Sequence, residues 1–258
     1  MKKYLDFAEK LAFESGEIML KYFKTGVASK VKADKTIVTK ADEDINRLII
    51  NLVEKEYPNT SVQGEEQSVD KNSKMVWVCD PVDGTDPFSK GIPISVFSLA
   101  LVDDGKPILG VVYDPFMKRM YKALLGEGVY MNGVPIKVSS QDLSVRATID
   151  IEWWPEAEWD VDTAMHKLSL DTSTYVLHIG SIIQAACLVA AGQYEACLFT
   201  GSKGKNMDIA AAKVIVEEAG GKVTDLFGSE QRYDRDIKGA IVSNGLVHNR
   251  ILEYTRDL

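Results

Sequence analysis

The stretch Val76-Trp77-Val78-Cys79-Asp80-Pro81-Val82-Asp83-Gly84-Thr85 constrains this chain more than any other. Its apolar start reads as a buried strand, and that strand delivers two carboxylates, Asp80 and Asp83, onto a turn. Carboxylates crowded at a half-buried strand end repel one another unless a cation joins them. Ligands that are all oxygen suit a hard cation such as magnesium. Gly64-Glu65-Glu66 brings two further acids after another short strand, and Asp208 precedes a helical pattern over Ile209 to Ala219. A carboxylate there is favoured by the helix dipole and the free amides of the first turn. Taken singly, these features have ordinary readings as a turn, a solvated acid pair and a helix cap. Their joint occurrence needs another explanation.

The rest of the chain mixes helices and strands. Leu5, Ala8, Leu11, Ala12, Met19 and Phe23 predict an amphipathic helix over Tyr4 to Phe23, and Ile45, Leu48, Ile49, Leu52 and Val53 predict a second. Thr39 and Asp42 have the spacing of a capping box at the start of that second helix. Strands are expected at Met75 to Cys79, Val96 to Val102, Ile108 to Tyr113, Met120 to Ala123 and Gly128 to Met131. Beyond Ser139-Ser140-Gln141-Asp142, read as a seam between units 1–140 and 141–258, strands are expected at Tyr175 to Ile179, Tyr194 to Phe199, Lys222 to Thr224 and Ala240 to Ser243. Helices are expected at Ile182 to Ala191, Ile209 to Ala219 and Val247 to Tyr254.

With 38 acidic and 30 basic residues the net charge is -8, which argues against a broad nucleic-acid surface. Cys79, Cys187 and Cys197 form no CxxC pair, so a disulfide framework is not expected and a reducing cytoplasm fits. No apolar stretch is long enough for a membrane span, and Asp6, Glu9 and Glu14 interrupt any leader-like run. His166, His178 and His248 match no metal-ligand spacing.

The acidic segments resemble the signatures of the inositol monophosphatase family, within the wider group of magnesium-dependent, lithium-sensitive phosphatases that includes fructose-1,6-bisphosphatases. Gly64-Glu65-Glu66 is similar to the family's Gly-Glu-Glu element. Asp80-Pro81-Val82-Asp83-Gly84-Thr85 with Phe88 resembles its Asp-Pro-x-Asp-Gly-Thr-x-x-Phe signature. Met207-Asp208-Ile209-Ala210-Ala211 with Glu218-Ala219-Gly220-Gly221 resembles its C-terminal signature, and Val38-Thr39-Lys40-Ala41-Asp42 a further element. The resemblance implies an α+β fold, a layered αβαβα sandwich. It implies two or three Mg2+ ions, with Glu65, Asp80 and the Val82 carbonyl at the first and Asp80, Asp83 and Asp208 at the second. Glu65, with Asp42, completes a third. Thr85, paired with Asp42 or Glu65, polarises the attacking water. Asp83, Gly84, Thr85, Gly180, Ser181 and Asp208 meet the substrate, and the protein is a homodimer.

Departures from the pattern bear on the pocket. Asp86-Pro87 replaces the commoner Thr-Asn, Met207 replaces Trp, and Ile182 stands where many relatives have a small residue. Glu195 falls too early to be the acid that receives inositol ring hydroxyls, and Lys203 and Lys205 either meet a second phosphate or are solvated. The Lys-rich stretch Ser29 to Lys40 reads as a loop or hairpin, either a lid or simply solvated. The expected activity is hydrolysis of a phosphate monoester on a small metabolite, inositol 1-phosphate or a related sugar phosphate. Fructose 1,6-bisphosphate, 3'-phosphoadenosine 5'-phosphate and histidinol phosphate are alternative substrates, and a catalytically silent binding protein is the alternative from another class.

Overall fold

The structure is a computed structural model that describes residues 1–23, 27–31, 37–153, 157–200 and 206–258. Helix α1 (Lys2–Tyr22) is followed by the hairpin strands β1 (Ser29–Val31) and β2 (Ile37–Thr39), and then by α2 (Lys40–Glu56). The expected capping box is present at the start of α2. Asp42 accepts from the Thr39 backbone N–H at 2.8 Å and from its hydroxyl at 2.5 Å.

A seven-stranded sheet follows, built from β3 (Ser61–Gly64), β4 (Met75–Asp83), β5 (Val96–Asp103), β6 (Lys106–Asp114), β7 (Arg119–Leu124), β8 (Gly128–Met131) and β9 (Val134–Pro135), in that order. The short helix α3 (Thr85–Ser89) leaves the end of β4. The second sheet has the order β11-β10-β12-β14-β13, from β10 (Thr148–Glu152), β11 (Tyr175–Leu177), β12 (Ala196–Phe199), β13 (Lys222–Thr224) and β14 (Ala240–Ser243). Its helices are α4 (Val161–Thr172), α5 (Ile182–Ala190), α6 (Ala210–Glu218) and α7 (His248–Thr255). Strand β10 and helix α4 are elements that the sequence pattern does not single out.

Three apolar cores stack these elements into five layers. Along the pleat alternate residues point to opposite faces. Trp77 and Cys79 of β4 with Phe97, Leu99 and Leu101 of β5 pack under α1 and α2. Val78, Val96, Ala100 and Val102 point the other way, toward α5 and α6, which also bury Cys197 and Phe199 of the second sheet. Ile149, Ile151 and Ile241 on the far face of that sheet pack against α4 and α7. The layer order is therefore αβαβα, as expected. The three cysteines are buried and free. Among the described residues no helix is long and apolar enough to cross a membrane.

Candidate active site

Two features of the seven-stranded sheet gather acids at one end. Strand β3 runs parallel to β4 with Gly64 opposite Cys79, so Glu65 and Asp80 are the next residues along each strand. The β4–β5 register then shifts between Asp80 and Asp83, so the strand bulges where the acids lie. The sequence suggests a turn there, whereas both carboxylates are still on the strand. Asp80 is 3% exposed, and its carboxylate accepts from the Val82 N–H at 3.1 Å.

Gly84 and Gly64 occupy their positions for steric reasons. Gly84 lies in the left-handed region at φ +82°, and a Cβ there would stand 2.8 Å from the Gly180 carbonyl oxygen. A Cβ at Gly64 would stand 2.3 Å from Oδ1 of Asn46. That amide oxygen accepts from the backbone N–H groups of Glu66 at 3.0 Å and Gln67 at 3.3 Å, and so holds the Glu65-Glu66 loop against α2.

Asp42, Glu65 and Glu66 present carboxylate oxygens within 4.8 Å of one another. Burial, together with the charges of Glu65 and Glu66, pushes the Asp42 carboxyl up to about 7 against the two Thr39 hydrogen bonds. The Thr85 hydroxyl donates to the Val82 carbonyl at 2.9 Å and lies 3.4 Å from Asp42.

Asp83 connects this group to the start of α5. Its Oδ2 accepts from the Ser181 hydroxyl and from the Ile183 N–H, the latter at 2.8 Å. Burial, then the nearby charges of Asp208 and Glu152, push it up to about 7. The expected residues Gly180 and Ser181 thus lie directly on the Asp83-Gly84 turn. Asp208 lies in the turn ahead of α6, one residue before the N-cap Ile209, and is 5% exposed.

Other residues of the site escape the sequence pattern. Glu152 accepts from the Gly180 N–H, and Asp150 accepts from the Ile179 N–H at 3.1 Å. Both acids lie on β10 beneath the turn that carries Ser181. Burial, and then the charge of Glu152, raise the Asp150 carboxyl to about 8. A carboxylate followed by apolar residues in a strand carries no spacing cue, so only the folded turn reveals them. Asn46, Gln63 and Asn206 are likewise silent in the sequence.

The departures from the family pattern also have places. Asp86 is exposed and pairs with Lys90 at 2.6 Å, so its charge is offset locally. A Cβ on Gly180 would sit 3.4 Å from the Pro87 ring. Ile182 and Met207 belong to the core between the sheets. Glu195 accepts from the Ser139 hydroxyl at 3.0 Å and the Thr148 N–H at 2.6 Å, which ties it to the chain entering β10. Lys203 and Lys205 lie outside the described residues, as do Lys32, Asp34 and Lys35 of the lysine-rich stretch.

Buried and half-buried, mutually repelling carboxylates with no sulfur or imidazole among them form a donor set that fits a hard divalent cation.

Comparison with known proteins identifies the family. The sequence profile of the inositol monophosphatase family matches residues 1–258. Inositol monophosphatase 1 of Solanum lycopersicum is 33% identical over 246 residues, covering 89% of this chain and 87% of its own. The fructose-1,6-bisphosphatase/inositol-1-monophosphatase of Thermotoga maritima is 31% identical over 256 residues, covering 98% and 96%. The solved structure of a Thermotoga maritima IMPase superimposes with a TM-score of 0.88 at 29% identity, covering 100% of this chain and 98% of that one. The chain belongs to the inositol monophosphatase family of phosphoric monoester hydrolases.

Proposed function

We propose that this chain hydrolyses a phosphate monoester on a small polyol or sugar, inositol 1-phosphate or a related sugar phosphate, with magnesium held by Glu65, Asp80, Asp83, Asp208 and the Val82 carbonyl. Asp42 joins Glu65 at a further ion. The observation that carries the reading is the contact of Asp83 with Ser181 and Ile183, because it brings an acid of the seven-stranded sheet and the polyol-facing turn that opens α5 to one point. When bound, magnesium supplies charge neutralisation for the phosphate dianion and acidity to a water molecule.

The chain's own groups do the rest. Thr85 orients the attacking water and Asp42 or Glu65 receives its proton; the water approaches phosphorus opposite the leaving oxygen, whose P–O bond breaks to release the alcohol. The Gly84 and Thr85 amides face the phosphate, and Gly180 and Ser181 hold the alcohol side. Glu195, the acid nearest in sequence to where inositol-specific relatives carry one, is occupied at Ser139 and Thr148. That, with the double name of the Thermotoga maritima relative, favours a range of sugar phosphates over inositol 1-phosphate alone. The same reading takes the protein as a cytoplasmic homodimer, with units 1–140 and 141–258 meeting at the site.

Phosphate release from a panel of inositol, fructose, nucleotide and histidinol phosphates tests it. Release should require magnesium and be inhibited by calcium, whose looser and larger coordination suits the site less well. Activity that survives exhaustive chelation would overturn the reading.

A further inference from the structure

A second polar bridge crosses between the two parts of the site. Gln63 lies on β3 two residues before Glu65, and Asn206 lies two residues before Asp208. Their side-chain amides are reciprocally paired. Gln63 Nε2 donates to Asn206 Oδ1 at 3.1 Å, and Asn206 Nδ2 donates to Gln63 Oε1 at 2.9 Å. Asn206 Nδ2 also donates to the Tyr233 carbonyl at 2.9 Å. That third bond fixes which end of the Asn206 amide is nitrogen, and the pairing then fixes Gln63.

Asn206 is fully buried. Its backbone carbonyl accepts from the N–H groups of Ile209 at 3.2 Å and Ala210 at 2.9 Å, so the same residue sets the entry of α6. On the other side Gly64 is pressed against Asn46, and Asn46 holds the Glu66 and Gln67 amides. Two sets of hydrogen bonds, one from α2 to the Glu65 loop and one from β3 to the Asp208 turn, are therefore joined through the backbone of residues 63–67. No cation-binding oxygen takes part in the amide pair, so its strength does not depend on an ion being bound.

We propose that Gln63 and Asn206 are positioning residues, a neutral amide clamp that sets the distance between Glu65 and Asp208 before any ion arrives and so tunes magnesium affinity. This rests on the metal-ligand roles proposed above. Partners that orient metal ligands are worth about 10–100-fold in affinity. A neutral pair suits the place, because a charged one would add to or compete with the neighbouring acids.

Calorimetric titration of the metal-free protein with magnesium, beside its melting temperature, tests the clamp. Gln63→Met and Asn206→Leu keep size and remove the pairing. Each should weaken magnesium binding about tenfold. The double variant should lose no more than the worse single one, since both remove one interaction. The exchange Gln63→Asn with Asn206→Gln should recover most of the loss. Should Asn206→Leu fail to fold, Gln63→Met, at a half-buried position, carries the test alone. Variants that melt lower but bind magnesium as the wild type does would overturn the clamp, as would losses that multiply in the double variant. If the wild type binds magnesium and the variants follow the expected pattern, yet the wild type releases phosphate from no ester, the clamp stands and the phosphatase reading falls. A wild type that binds no magnesium overturns both.

Discussion

Asp83 has little to gain from its charge in the metal-free protein. It is 6% exposed, it lies near Asp208 and Glu152, and its compensation comes from Ser181 and the Ile183 N–H. Asn at this position keeps one carbonyl oxygen for those two donors and removes the repulsion. Asp83→Asn should lower turnover by about two orders of magnitude or more, while the metal-free variant melts at or above the wild-type temperature. A variant as active and as metal-dependent as the wild type would remove Asp83 from the site. Gly84→Ala should act the other way on stability. Its φ of +82° and the 2.8 Å approach to the Gly180 carbonyl leave no room for a Cβ, so about 1–3 kcal/mol should be lost, read from a denaturation midpoint. At this scale the sequence exposes acids that fall in dense, punctuated segments, as Glu65, Asp80 and Asp83 do, and Asp208 where a helical pattern begins. It conceals Asp150 and Glu152, whose part depends on a turn near residue 180 folding back onto β10. It conceals Gln63 and Asn206 for the same reason, since 143 positions separate them.

Elements with strong periodicity and distinct ends are legible, and α2 is the plainest case, with its apolar face and Thr39–Asp42 box. Strand β10 is hard to read because Asp150 and Glu152 interrupt its apolar run at the site end. Helix α4 buries only Val161, Ala164, Met165 and Leu168, and its other face is polar. The last helix offers a test of how an element is fastened. His248, the first residue of α7, is fully buried, with its ring nitrogens 3.0 Å from the Thr224 hydroxyl and 2.9 Å from the Ser243 hydroxyl. Burial, and then the charges of Lys222 and Lys213, push its pKa down from 6.5 to about 4. The unfolded chain therefore binds this proton more readily than the folded one between those values. The stability that comes from keeping the ring neutral is complete above pH 6.5 and lost as pH falls toward 4, to the extent of roughly 3 kcal/mol. His248→Gln cannot titrate. The stability difference between wild type and variant, from denaturant melts at matched pH, should shrink by about that amount between pH 7 and pH 4. A difference that stays constant across the range would show that the ring is not held neutral.

At the scale of the molecule, the acids arrive from different layers. Glu65 follows β3 and Asp80 and Asp83 lie on β4 of the seven-stranded sheet, while Asp208 precedes a helix sandwiched between the two sheets and Glu152 belongs to the second sheet. A cation bound among Glu65, Asp80, Asp83 and Asp208 would therefore join parts of the chain that are otherwise held by the α5–α6 core, the Ser181–Asp83 contact and the Gln63–Asn206 pair. Mass action turns that geometry into a stability measurement. A ligand that binds only the folded state at about 100 times its Kd adds about 2.7 kcal/mol. For a chain of this size, each kcal/mol moves the melting temperature by about 2–4 °C. Saturating magnesium should thus raise the melting temperature by roughly 5–10 °C over a chelated sample. Asp208→Asn should lose most of this rise, because it severs the link from α6, yet its metal-free melting temperature should not fall, since a repelling charge has gone. If magnesium stabilises Asp208→Asn as strongly as wild type, the ions are held by the seven-stranded sheet alone, and Asp208 serves the entry of α6 rather than the metal.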